Sequence, residues 1–159
     1  MDVRLPPDFK EFLRLLDSHE VEYLLIGGYA VGYHGYPRAT QDMDIWIGIN
    51  RRNATRMVAL LREFGFATPN LTTELFLREN SVVRMGQPPM RIDLLTSISG
   101  VDFDECYARR VTTKIDGIAV SVLDLRHLRI NKKASGRHRD LDDLEHLPKS
   151  PRPPRRRRK

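Results

Sequence analysis

The chain has 159 residues, 40% of them hydrophobic and 30% charged. That is the length of one domain with room for a real core, and the mixture excludes a disordered or fibrous chain. Seven of the 27 bases lie in residues 149–159 with no acid among them, which leaves 20 bases against all 21 acids in residues 1–148; the body is near neutral, so a domain basic throughout is excluded while a local basic groove is not.

In chain order, Pro7-Asp8 followed by Phe9, Phe12, Leu13 and Leu16 predicts a capped amphipathic helix. Residues 23–26 read as a short buried strand stopped by Gly27-Gly28, and residues 29–34 as a helix ended by Gly35-Tyr36-Pro37. A second strand covers 42–48. Residues 53–64 carry Met57, Leu60, Leu61 and Phe64 on one helical face, with Gly65 placed to stop it. Strands at 81–85 and 91–96 are separated by a Pro88-Pro89 loop, and strands at 111–115 and 118–122 flank Asp116-Gly117, a two-residue hairpin signal. Asp124 is placed to cap a helix running to about Ser135, and a last short helix covers 140–147. Helices and strands alternate early and a hairpin comes late, so the expected fold is α+β: a single domain, residues 1–148, with a mixed sheet flanked by helices. The remaining residues 149–159 cannot build a core and are expected to form a disordered basic tail.

One cysteine, Cys106, excludes an intrachain disulfide framework and a Cys-rich zinc site, and it reads as a packing residue rather than a nucleophile. The five histidines, at 19, 34, 127, 138 and 146, show no metal-binding spacing; only His34, close to the glycines, merits attention, and packing is the favoured role for it. There is no positively charged leader followed by an apolar run, and the longest uncharged run, 23–37, is too short and too glycine-rich for a membrane span. The expected location is the cytoplasm, without membrane contact.

Three features carry chemistry. Gly27-Gly28 stands where a strand turns into a helix, a place where backbone N–H groups can approach phosphates closely. In Asp42-Met43-Asp44-Ile45-Trp46-Ile47, strand alternation puts both aspartates on one face and Met43, Ile45 and Ile47 on the other. Same-face residues are ~6.6 Å apart, which suits carboxylates converging on magnesium ions ~3.5–4 Å from each other. Asp93 interrupts the apolar strand Arg91-Ile92-Asp93-Leu94-Leu95, and it joins the cluster if that strand neighbours the first. Each feature alone has a plain alternative: a turn, a solvent-facing edge, or an ion pair of Asp93 with Arg91 or Arg84.

Taken together, the order strand, Gly-Gly, helix, DxD strand and lone later Asp resembles the polymerase-beta-like nucleotidyltransferase superfamily. The block Ile26-Gly27-Gly28-Tyr29-Ala30-Val31 with Gly35-Tyr36-Pro37-Arg38-Ala39-Thr40-Gln41-Asp42-Met43-Asp44 is similar to the small bacterial AbiEii/MNT-like group, which includes toxins of type IV toxin–antitoxin systems. The likeness runs through Arg91–Leu95 and, more loosely, through 132–144, covering most of residues 20–147. It implies the nucleotidyltransferase fold and a nucleoside triphosphate substrate. It further implies two Mg2+ ions held by Asp42, Asp44 and Asp93, and in-line attack at the α-phosphorus with pyrophosphate leaving.

Gly27 and Gly28 would meet the phosphates. Many members have Gly-Ser at this point, so one phosphate contact here falls to backbone or to Tyr29. Arg38 and Thr40 are candidates to orient phosphates, Arg38 being equally a partner for Asp42. Lys132 and Arg137 are candidates to supply phosphate charge, Lys133 a solvated base, and Asp140 with Arg139 an internal pair. The tail bases Arg152, Arg155, Arg156, Arg157, Arg158 and Lys159 are candidates for holding tRNA or other RNA. The expected reaction moves a nucleoside monophosphate to a hydroxyl on RNA or a partner protein, with a cognate toxin or antitoxin as a further partner. The alternatives are transfer to a small antibiotic and a non-catalytic antitoxin or binding module.

Overall fold

Among the described residues, the six strands and five helices laid down by the periodicities of the sequence are present, with two additions. The computed structural model describes residues 4–87 and 90–151; the Pro88-Pro89 loop and the tail bases from Arg152 onward lie outside the described residues. Helix α1 (Pro7–Ser18) starts with proline in its first turn and has no side-chain cap, so Asp8 serves as a first-turn acid rather than as the cap. It buries Phe9, Phe12, Leu13 and Leu16, the face expected from their spacing. Strand β1 (Tyr23–Ile26) runs directly into α2 (Gly27–Tyr33), which starts two residues earlier than the sequence suggested.

Strand β2 (Asp42–Ile47) is followed by α3 (Arg51–Phe64), capped by the Asn50 side chain accepting from the Asn53 N–H. Strands β3 (Val82–Met85) and β4 (Arg91–Leu95) are followed by the short helix α4 (Phe103–Ala108), then the hairpin β5 (Val111–Ile115) and β6 (Ile118–Val122). Helix α5 (Leu125–Ser135) is capped by Asp124, as expected, and α6 (His138–His146) closes the described fold. The additions are α4 and a single 3-10 turn at Thr73–Phe76.

The strands form one mixed sheet in the order β3-β4-β2-β1-β6-β5. Pairs β1/β6 and β2/β4 are parallel, and β1/β2, β3/β4 and β5/β6 are antiparallel. Met43, Ile45 and Ile47 have no exposed surface and join the α1 and α3 residues in one core. A side chain of this size contributes roughly 1.5–3 kcal/mol when fully buried. On the opposite face of β2, Trp46 is also buried. It sits edge-on to Phe103 of α4 at 5.1 Å, and its indole N–H donates to the Thr96 carbonyl at 3.3 Å. Helix α4 thereby seals one end of the aspartate face, and the other end stays open as a cleft.

Candidate active site

Parallel pairing of β2 with β4 sets Asp42 opposite Arg91 and Asp44 opposite Asp93. Because opposite residues of a sheet share a face, register alone brings Asp42, Asp44 and Asp93 together. They line a cleft of about 930 Å³ with Gly27, Gly28, Arg38, Thr40, Lys132, Arg137 and Asp140. Asp93 is 8% exposed. Burial, then the Asp93 and Asp42 charges, push the Asp44 carboxyl up to about 6, against the pull of Lys132 and Arg91.

Gly27 has φ +68°, and a Cβ there would lie 2.3 Å from Asp44 Oδ2. The carboxylate thus rests directly on the backbone bend, which only glycine permits. At Gly28 a Cβ would lie 2.7 Å from Thr40 Oγ1. The volume that a serine side chain would need is filled by the Thr40 hydroxyl, which donates to the Asp42 carbonyl at 3.2 Å. Tyr29, the other candidate for that contact, is 7% exposed, packs edge-on to Phe9 and is not among the cleft-lining residues. Because α2 begins at Gly27, position 29 falls on its inward face.

The opposite wall is an ion network. Arg38 grips Asp143 with two bonds, Nε to Oδ1 at 2.9 Å and Nη2 to Oδ2 at 3.1 Å, so its partner is Asp143 of α6 and not Asp42. Lys132, 5% exposed, places Nζ 3.1 Å from both Asp140 and Asp143. Asp140 takes its second cation from Arg137 at 2.9 Å; the expected pairing with Arg139 is not the one formed. Burial raises the Asp140 carboxyl, but hydrogen bonds from Arg137, Ser135 and Lys132 outweigh it and hold the group at about 2. Arg137 keeps most of its side chain exposed at the cleft, and Lys133 is exposed, as expected.

Outside the cleft, His34 Nε2–H donates to the Leu123 carbonyl at 2.7 Å, and burial lowers its pKa, which is a packing role. Burial pushes the Cys106 thiol up to about 12, too high for a nucleophile.

The sequence reading passed over Asp143 and, although it named Arg91 as an ion-pair partner for Asp93, missed its bridge to Asp42. Asp143, fully buried, anchors Arg38 and Lys132, and only its tertiary partners distinguish it from a surface acid. Arg91 links Asp93 and Asp42 through three hydrogen bonds of 2.9–3.3 Å. Three carboxylates beside a glycine bend are a donor set suited to a hard divalent ion. Among the described residues, however, no three acid, His or Cys side chains close around a common point. The Arg91 guanidinium holds two of the three instead.

No protein-family model matches the chain, and no curated protein matches it by sequence. Among solved structures, a candidate nucleotidyltransferase from Thermotoga maritima superposes with a TM-score of 0.58 at 15% identity, covering 86% of this chain and 88% of that one. An antigenic nucleotidyltransferase-like protein from Paracoccidioides brasiliensis gives a TM-score of 0.51 at 20% identity, over 91% and 77% of the two chains. The chain has the nucleotidyltransferase fold, in a single α+β domain. Among the described residues, no helix is long and apolar enough to cross a membrane.

Proposed function

We propose that this chain is a magnesium-dependent nucleotidyltransferase that moves a nucleoside monophosphate from a nucleoside triphosphate to a hydroxyl on a macromolecule, either RNA or a partner protein. The observation that carries this reading is the in-register meeting of Asp42, Asp44 and Asp93 beside Gly27-Gly28. Those three carboxylates would hold the magnesium. Bound there, the metal supplies charge neutralisation at the phosphates and at the attacking oxygen.

The chain's own residues do the rest. The Gly27 and Gly28 backbone and the Thr40 hydroxyl form the floor on which the triphosphate lies. Lys132, Arg38 and Arg137 supply positive potential along the α5–α6 wall. Asp93 accepts the proton of the acceptor hydroxyl at a carboxylate oxygen. The acceptor oxygen bonds to the α-phosphorus, the bond from that phosphorus to the β-phosphate oxygen breaks, and pyrophosphate leaves. Holding these groups in line lowers the barrier through orientation.

Membership of the AbiEii/MNT-like group, a toxin–antitoxin role, a cognate partner protein and a cytoplasmic location belong to this same reading. They rest on the motif likeness, and the gene neighbourhood checks them. The tail bases Arg152, Arg155–Arg158 and Lys159 would draw RNA toward the cleft; unchanged salt dependence of RNA binding after removal of residues 149–159 would dispose of that role. A small cationic antibiotic is disfavoured as acceptor, because Arg84, Arg91, Arg137 and Arg139 all line the cleft. The Arg91 clamp on Asp42 and Asp93 is the feature that favours a non-catalytic binding module. The deciding experiment incubates the protein with labelled nucleoside triphosphates, magnesium, total tRNA and cell lysate. Label on RNA or on a protein, lost in Asp44→Ala, is the expected result; no transfer under any condition assigns the chain to the non-catalytic class.

A further inference from the structure

Among the described residues, Arg91 is the one basic side chain bound to the acidic cluster, and the reaction outlined above gives it no part. It opens β4 two residues before Asp93, so alternation puts it on the carboxylate face, and the parallel register sets it beside Asp42. Its Nε donates to Asp93 Oδ1 at 2.9 Å. Its Nη2 donates to Asp93 Oδ2 at 3.2 Å and to Asp42 Oδ2 at 3.3 Å. One nitrogen therefore stands in the gap between two carboxylate oxygens. A magnesium ion takes carboxylate oxygens at about 2.0–2.1 Å, so an ion shared by Asp42 and Asp93 needs that same gap. Overlap and like charge make the two occupants mutually exclusive.

The other cations of the cleft do not compete in this way. Arg84 lies opposite Asp93 on β3 and lines the cleft, yet among the described residues it forms no ion pair. Lys132 is committed to Asp140 and Asp143.

Building on the metal-dependent reading, we propose that Arg91 is a positioning residue that holds the place of the divalent ion. Its guanidinium fixes the Asp42 and Asp93 carboxylates while the ion is away, and the ion enters only as Arg91 swings out. The side chain is 29% exposed on the cleft rim, so its departure requires no repacking of the core. Metal affinity is set by the difference between the ion's bonds and the clamp it displaces, and the site is spared the mutual repulsion of three bare acids in the meantime.

The test is Mn2+ binding to the full chain without nucleotide, read by electron paramagnetic resonance. Thermal unfolding with and without Mn2+ provides a second readout. Arg91→Gln is expected to bind Mn2+ about tenfold or more tightly than the parent chain, the scale of one lost charge-assisted bridge. Its Tm without metal falls, and its gain in Tm on adding Mn2+ exceeds that of the parent. Arg91→Lys keeps the charge but lacks the fork, so it falls between the two. Arg84→Gln removes a cation from the same wall without breaking a bridge and changes affinity by about twofold or less. Equal tightening by Arg91→Gln and Arg84→Gln would reduce Arg91 to background charge and overturn the proposal while the metal site stood. Failure of the parent and of every variant to bind Mn2+ would remove the metal site, and the proposal with it.

Discussion

The cleft holds two groups of carboxylates that differ in how they are neutralised. On α6, Asp140 and Asp143 are buried, and each is paired with two cations drawn from Lys132, Arg137 and Arg38. Asp140 is held at about 2. On the sheet, Asp42 and Asp93 share one guanidinium while Asp44, among the described residues, forms no ion pair and is pushed up to about 6. The first group is a finished structural joint that docks α6 onto α5 and onto the α2–β2 connection that carries Arg38. The second is left short of positive charge, a state costly to maintain unless a cation or substrate completes it. Acidity alone does not mark a site; the imbalance does.

Four experiments break or sharpen that contrast. The largest effect is expected from Asp44→Asn, which should lower nucleotidyl transfer by about 10³-fold or more, on the order of 4 kcal/mol of barrier. The same change should raise the metal-free Tm, because it removes one of the mutually repelling charges. An activity assay paired with thermal unfolding reads both signs, and a matching rise in activity would contradict the assignment. Next is Lys132→Met, which leaves Asp140 and Asp143 without their shared cation. Breaking a buried pair of this kind costs about 3–5 kcal/mol, measurable by urea unfolding.

The two groups also predict opposite pH responses. The Asp44 pKa is raised in the folded state from 3.8 to about 6, so the folded chain holds a proton that the unfolded chain has lost, and stability falls as pH rises from about 4 to 6. For Asp140 the folded value of about 2 lies below 3.8, so its contribution is complete above about 4 and fades as pH drops through 2. Each effect is worth up to roughly 2–3 kcal/mol. Stability curves of Asp44→Asn and Asp140→Asn should each lose one of these slopes and keep the other. The smallest effect is expected from Gly27→Ala, whose Cβ meets Asp44 Oδ2 at φ +68°. About 1–2 kcal/mol of backbone cost is expected, plus a steric part that Asp44→Ala in the same chain should restore. A fully additive double variant would show that the two positions do not touch.

Much of the sheet was legible in the sequence, because β2 and β4 advertise themselves by alternation: three apolar residues in β2 and two in β4 face one way while the acids face the other. The hairpin turn and the Asp124 cap were equally local signals. What escaped was decided by tertiary contact. Helix α4 is six residues long with two acids in its first turn, too short to display helical periodicity; its one clue is Asp102 accepting from the Glu105 N–H. Tyr29 was offered, beside the backbone, for the phosphate contact that glycine leaves open where many members of the superfamily carry serine, and the helix was expected to begin at that residue. A start at Gly27 shifts the helical phase by two residues and turns the ring into the core. Thr40 was legible only as a neighbour of the acids, since its fit against Gly28 depends on how the connecting loop returns to the sheet. The Arg38–Asp143 and Arg91–Asp42 bridges were unreadable for the same reason, their partners lying 105 and 49 residues apart in the chain, whereas the pairing of Arg91 with Asp93 was local enough to be read.

The Asp44–Asp93 juxtaposition is set by main-chain bonding between two parallel strands rather than by how neighbouring side chains interlock. It should therefore tolerate wholesale recoding of the hydrophobic interior, provided both ladders keep their count. Inserting or deleting a single residue inside β4 would turn the third aspartate toward α1 and α3, whereas a length change confined to the connection before it should leave the alignment intact. For protein engineers, this divides the molecule into letters that are free to change and a spacing that is not.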